Sequence, residues 1–147
     1  MKINKVNSNK RKYMELLLEA DPEEKMINNY LEKGDLYIGE KDGFVVCVCV
    51  IIKYDEETCE LKNIATLSTA RGNGYASEMI KYVFEIHKNT YKKIIVGTTE
   101  NMIPFYVLNG FNRYHHTVKN FFVDNYDEEV WDGDLHCIDM YYYAKDF

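Results

Sequence analysis

The chain has 147 residues, with 18 Lys+Arg against 24 Asp+Glu, a formal net charge of −6 and 46% hydrophobic residues. That length and composition suit one domain over 1–147 with a real core and exclude wholesale disorder. The acidic total argues against a nucleic-acid binder that works by a general positive field, and the longest apolar run, Phe44 to Ile52, is too short to span a bilayer.

In chain order, Ile3 to Val6 reads as a short first strand. Tyr13, Leu16, Leu17 and Ala20 fall on one helical face. Asp21-Pro22-Glu23-Glu24 then predicts a new helix start, with Asp21 as cap, Pro22 in the first turn and Glu24 closing a capping box. Met26, Ile27, Tyr30 and Leu31 form that helix's apolar face, and Lys33-Gly34 predicts its left-handed stop. Leu36 to Glu40, Phe44 to Lys53 and Thr58 to Leu67 read as three strands, joined at Lys41-Asp42-Gly43 and Tyr54-Asp55-Glu56-Glu57. The near-continuous apolar run of the second marks it as a central strand of an antiparallel meander.

The period then changes. Ala76, Met79, Ile80, Val83 and Phe84 predict an amphipathic helix to about Lys88. Lys93 to Thr98 is a strand, and Pro104 opens a short helix that stops at Asn109-Gly110. Phe111 to Val123 and Leu135 to Tyr143 read as the last two strands. The expected fold is an α/β (α+β) mixed, mostly antiparallel sheet of about seven strands with four helices, in the order β-α-α-β-β-β-α-β-α-β-β.

The charge is unevenly placed. Residues 1–119 hold 17 basic and 16 acidic side chains, whereas 120–147 hold Lys145 against eight acids. The acidity therefore belongs to the tail, where a solvated loop is its simplest reading. Cys47 and Cys49 share one strand face, as core residues do, and no Cys or His pair has zinc spacing. A metal site built from Cys47, Cys49 and His136 is a remote alternative, so no metal is expected. The polar N-terminus shows no secretory pattern, and free thiols fit a reducing cytoplasm.

Chemistry concentrates where a strand runs through Ile64-Ala65-Thr66 into Arg71-Gly72-Asn73-Gly74-Tyr75-Ala76-Ser77 and the strong helix. Unpaired N–H groups of a first helical turn, two glycines and an arginine make an anion cradle. A dinucleotide fold fits poorly because the third glycine of its motif is missing, and a P-loop is excluded because no Gly-Lys-Ser/Thr follows.

Arg71-Gly72-Asn73-Gly74-Tyr75-Ala76 resembles the Gln/Arg-x-x-Gly-x-Gly/Ala acetyl-CoA loop of the GNAT N-acetyltransferases. Asn101, followed by Phe105-Tyr106-Val107-Leu108-Asn109-Gly110-Phe111, is similar to the family's second motif, and the order of elements matches over nearly the whole chain. Phe121 to Tyr126 and Cys137-Ile138-Asp139-Met140 resemble the tail of small bacterial members. The resemblance implies an acyltransferase that moves acetyl from acetyl-CoA to a primary amine of a small molecule or peptide by direct transfer. It implies pyrophosphate on the N–H groups of Arg71, Gly72, Asn73, Gly74, Tyr75 and Ala76, with Ser77, pantetheine along Ile64, Ala65 and Thr66, and Asn101 bonded to the pantetheine chain. Tyr106 matches the tyrosine that protonates the departing sulfur. Glu60 lies where some members carry a glutamate base; a surface carboxylate, water or one of the four histidines (87, 115, 116, 136) is the alternative.

For the acceptor, the segment Asp124 to Asp134, with its carboxylates and with Tyr126 and Trp131, suits a cationic amine. No nucleic acid or membrane partner is expected. Tyr141-Tyr142-Tyr143 is open as half-buried core, a homodimer contact or an interface of a pure interaction module. A catalytically inactive CoA-binding sensor of the same fold is the alternative function.

Overall fold

The computed structural model describes residues 1–147. Seven strands form one sheet in the order β1-β2-β3-β4-β5-β9-β6, and β7 and β8 form a separate hairpin. The strands are β1 (Lys2–Val6), β2 (Asp35–Lys41), β3 (Phe44–Lys53), β4 (Thr58–Thr66), β5 (Lys93–Thr98), β6 (Arg113–Val118), β7 (Val130–Asp132), β8 (Leu135–Cys137) and β9 (Met140–Asp146). The helices are α1 (Met14–Leu17), α2 (Glu24–Asn28), α3 (Tyr75–His87), α4 (Ile103–Leu108) and α5 (Phe121–Asn125). The expected sheet and the expected order through Asn109-Gly110 are present.

β3 is central because it is apolar on both faces. Cys47, Cys49 and Ile51 pack with Met79, Ile80 and Val83 of α3, while Val48 and Val50 pack with Leu17, Ile27 and Leu31 around α1 and α2. Asp42 and Gly43, both left-handed at φ 53° and 83°, close the β2–β3 hairpin. β4 pairs with β3 along most of its length but with β5, in parallel, only from Thr58 opposite Lys93 to Leu61 opposite Val96. Beyond that point the two strands part.

Local expectations near the first helices are corrected. The helical stretch from Tyr13 is a 3-10 turn, Lys10–Tyr13, followed by the short α1. Asp21 does not cap α2; the cap position is Glu23, and no side chain bonds there. Asp21 is instead buried and engaged with two tyrosines, described below. Gly34 is not left-handed: a Cβ there would lie 2.7 Å from Val50 Cγ1, so close packing requires the glycine. The cation at that end is Lys10, whose Nζ donates to the carbonyls of Gly34 at 2.6 Å and Glu32 at 3.0 Å.

The tail is also redrawn. The strand expected over Phe111 to Val123 is only β6, because Asn120 turns left-handed at φ 57° and its N–H donates to Asp139 Oδ1 at 2.8 Å. Phe121–Asn125 is then a fifth helix. The strand expected over Leu135 to Tyr143 is two: β8 pairs with β7, and β9 begins at Met140 and enters the sheet between β5 and β6. β9 therefore has a neighbour on each side, Tyr142 is buried, and the three tyrosines present no free sheet edge.

Candidate active site

The parting of β4 and β5 opens a cavity of about 840 Å³. From Asn63 to Thr66, β4 is bonded only to β3, so its other edge offers unpaired backbone groups to an extended ligand. Ile64, Ala65 and Thr66 line this edge, and Val96, Gly97 and Thr98 form the opposite bank.

At one end stands the start of α3. Gly72 and Gly74 are left-handed at φ 82° and 80°, a conformation that lets the loop turn back and aims the first N–H groups of α3 outward. A Cβ at either glycine would meet nothing within 4 Å, so the demand is on backbone conformation, not space. Arg71, Gly72, Gly74, Tyr75, Ala76 and Ser77 line the cavity. Asn73 does not; its side chain braces the loop by donating to the Ala70 carbonyl at 2.8 Å. The Arg71 guanidinium sits 3.5 Å from Glu19 and 3.4 Å from the Thr66 carbonyl, so it links the loop to the α1 end and β4. An unpaired strand edge leading to an open helix N-terminus fits a long ligand with a phosphate end.

Tyr106 comes from α4, where Pro104 occupies the first turn and Gly110, at φ 108°, ends the helix. Its ring packs edge-on against Phe105 and Phe111. Only 9% of the residue is exposed, yet it lines the cavity. Burial, with the neighbouring Cys49 adding to it, raises its pKa above the ordinary phenol value, so the hydroxyl keeps its proton at neutral pH.

Two expected residues are placed elsewhere. Asn101 donates to the Asp132 carbonyl at 3.1 Å and pins the β7–β8 hairpin; it does not line the cavity. Glu60 is 5% exposed and also lies off the cavity wall. Burial raises its pKa, and the nearby Lys62 ammonium, 3.7 Å away, opposes that rise. None of the four histidines lines the cavity. His136 stacks on Trp131 at 4.8 Å, far in role from the core residues Cys47 and Cys49, and no three metal-binding side chains converge.

The other half of the cavity is walled by Asp21, Lys62, Phe121, Phe122, Tyr126 and Trp131. Asp21 accepts from Tyr30 Oη at 2.9 Å and Tyr126 Oη at 2.8 Å, which ties the α1–α2 turn to the end of α5. A bulge in β4 leaves Lys62 without a partner on β3, so Lys62 and Asn63 both reach Tyr30 on one face. Sequence reading passed over Asp21, as a cap, and Lys62, because a bulge carries no residue signature.

The family model for the acetyltransferase (GNAT) domain matches residues 32–113. The chain belongs to the GNAT acetyltransferase family. The uncharacterized N-acetyltransferase YvbK of Bacillus subtilis (strain 168) is 29% identical over 130 residues, which is 86% of this chain and 83% of that protein. A GNAT family acetyltransferase from Elizabethkingia anophelis, solved with acetyl-CoA bound, is 30% identical and superposes with a TM-score of 0.90 over 99% of this chain and 97% of its own. A Bacillus subtilis acetyltransferase solved with CoA is 25% identical, with a TM-score of 0.86 over 99% and 98%. GNAT membership makes the protein an acyltransferase, and the five-helix, seven-strand frame is the one these neighbours share.

Proposed function

We propose that this chain is a single-domain enzyme that transfers the acetyl group of acetyl-CoA directly to a primary amine of a small molecule or peptide. The observation that carries the reading is the continuity of one cavity from the α3 N-terminus, along the unpaired β4 edge, to Tyr106. The loop from Arg71 to Ser77 would hold the pyrophosphate on its N–H groups, with Asn73 shaping the loop from behind. Ile64, Ala65 and Thr66 would pair with the pantetheine arm.

The amine nitrogen forms its bond to the thioester carbonyl carbon, the carbon–sulfur bond breaks, and Tyr106 hydrogen-bonds and then protonates the departing sulfur. The ammonium gives one proton to water before its nitrogen attacks; the second, lost as the amide forms, passes through water to restore the Tyr106 phenol, since neither Glu60 nor any histidine lines the cavity. In this reading Glu60 is the partner of Lys62, not the base. Asp21, Glu129 and Asp132 on the acceptor side suit the ammonium form in which the amine arrives. The four buried unpaired thiols fit a reducing compartment such as the cytoplasm.

The test is CoA release from acetyl-CoA over a panel of amines, with calorimetric acetyl-CoA binding beside it. Tyr106→Phe is expected to lower kcat by roughly 10²-fold while leaving acetyl-CoA affinity unchanged. Tight acetyl-CoA binding with no turnover of any amine would instead favour the non-catalytic sensor.

A further inference from the structure

The half of the cavity away from the α3 start is lined by carboxylates and one lysine. Its carboxylates already hold donors: Asp21 takes two tyrosine hydroxyls, Asp132 takes Thr99 Oγ1 at 2.9 Å, and Glu129 takes Trp131 Nε1 at 3.3 Å. Of the two cations on the wall, Arg71 belongs to the phosphate end and is bonded there. The other is Lys62. Its Nζ lies 5.7 Å from the centre of the Tyr30 ring and 5.9 Å from that of Phe121. Its nearest carboxylate, Glu60, is at 3.7 Å, beyond hydrogen-bond length, and its side chain keeps 22% of its surface open. An ammonium has three donors. Here the side chain lines the cavity beside the Tyr30 and Phe121 rings, with Glu60 as its ion-pair partner.

Resting on the acetyltransferase reading, we propose that Lys62 binds an anionic group of the acceptor, so that the substrate is an amine that also carries a carboxylate. The amine end meets the acidic part of the wall and the carboxylate meets Lys62. The buried Glu60 orients Lys62 from behind without reaching the substrate, which makes it a positioning residue. The substrate class is thus zwitterionic, as a free amino acid is, and polyamines are excluded from good turnover.

The experiment compares free amino acids with their carboxamides and with the corresponding decarboxylated amines. Each is assayed by CoA release and by calorimetric binding to the CoA-loaded protein. The wild-type chain is expected to favour the acids by about ten- to hundredfold in kcat/KM, the worth of a charge-assisted hydrogen bond. Lys62→Met should level that preference while acetyl-CoA affinity stays the same, and Lys62→Arg should restore part of it. Should Lys62→Met fail to fold, the wild-type comparison of acid with carboxamide decides alone. Equal turnover of acids and carboxamides by the wild type overturns the proposal and leaves the acetyltransferase reading standing. So does an acid preference that survives in folded Lys62→Met. Acetyl-CoA binding with no amine acetylated, and no acid bound in preference to its carboxamide, overturns both.

Discussion

Tyr106 and Glu60 were expected from the same resemblance, yet their surroundings divide them. Both are buried, and burial raises the pKa of each. For a proton donor that is useful, because the phenol stays protonated until negative charge develops on sulfur. For Glu60 it is useful only if the carboxylate can reach the amine, and it lies off the cavity wall, paired with Lys62. Glu60→Gln is therefore expected to keep the shape of the kcat/KM pH profile and to change mainly the KM for the acceptor. Loss of an acidic limb from that profile would return Glu60 to the role of base. The cysteines show the opposite outcome of burial: the Cys47 thiol is pushed up to about 11 and that of Cys59 to about 12, so neither is a nucleophile at neutral pH.

At the scale of elements, α3 does two jobs with its two ends. Its first turn faces the cavity, and the left-handed Gly74 makes that possible. Gly74→Ala is expected to cost about 1–2 kcal/mol in backbone strain and to weaken acetyl-CoA binding roughly tenfold by calorimetry. Gly74→Asn should cost less, because asparagine tolerates that conformation. The far end of α3 is buried at His87, whose Nε2 lies 3.1 Å from Tyr37 Oη. Burial lowers the pKa of His87 below its ordinary value. The neutral imidazole is thus favoured in the fold. Its contribution is complete above about pH 6.5, the ordinary histidine value, and is lost as pH falls through the depressed folded value. Thermal melting from pH 7.5 to 5 should show a steeper loss for the wild type than for His87→Gln; parallel curves would remove His87 as the cause.

Across the whole molecule, the acidic tail keeps most of its carboxylates exposed, as a solvated segment does, but is tied down over the half of the cavity lined by Asp21 and Lys62. Tyr126 bonds Asp21, Asp127 meets Lys25 at 2.7 Å and the Glu23 carboxylate through its N–H at 2.9 Å, and Asp132 holds Thr99. These ties differ in worth. The Lys25 pair is exposed and screened, so Lys25→Ala is expected to change little. Tyr126→Phe removes a hydrogen bond to a buried carboxylate and should lower unfolding stability by about 1.5–3 kcal/mol in urea titrations. It should also raise the acceptor KM with acetyl-CoA affinity intact, since the tail lies over only one half of the cavity.

Much of this molecule was legible before any coordinates. Apolar periods of two and 3.6 fixed β3 as a central strand and α3 as an amphipathic helix, because local alternation alone decides which face is buried. Two glycines and a helix start were enough to mark the left-handed turn that opens α3, since those conformations depend on the nearest residues. What the sequence could not show lies where distant segments meet. Asp21 read as a helix cap until Tyr30 and Tyr126 arrived from 9 and 105 residues away. Phe121 to Val123 read as the end of a strand until a left-handed Asn120, held by Asp139, started a helix there. Lys62 became a wall of the cavity through a bulge and two rings brought by other elements. Local chemistry determined the family of folds and the α3 end of the cavity. Long-range packing, which sets the cost of burying each charge and the partners it finds, decided the end walled by Asp21, Lys62 and Tyr126.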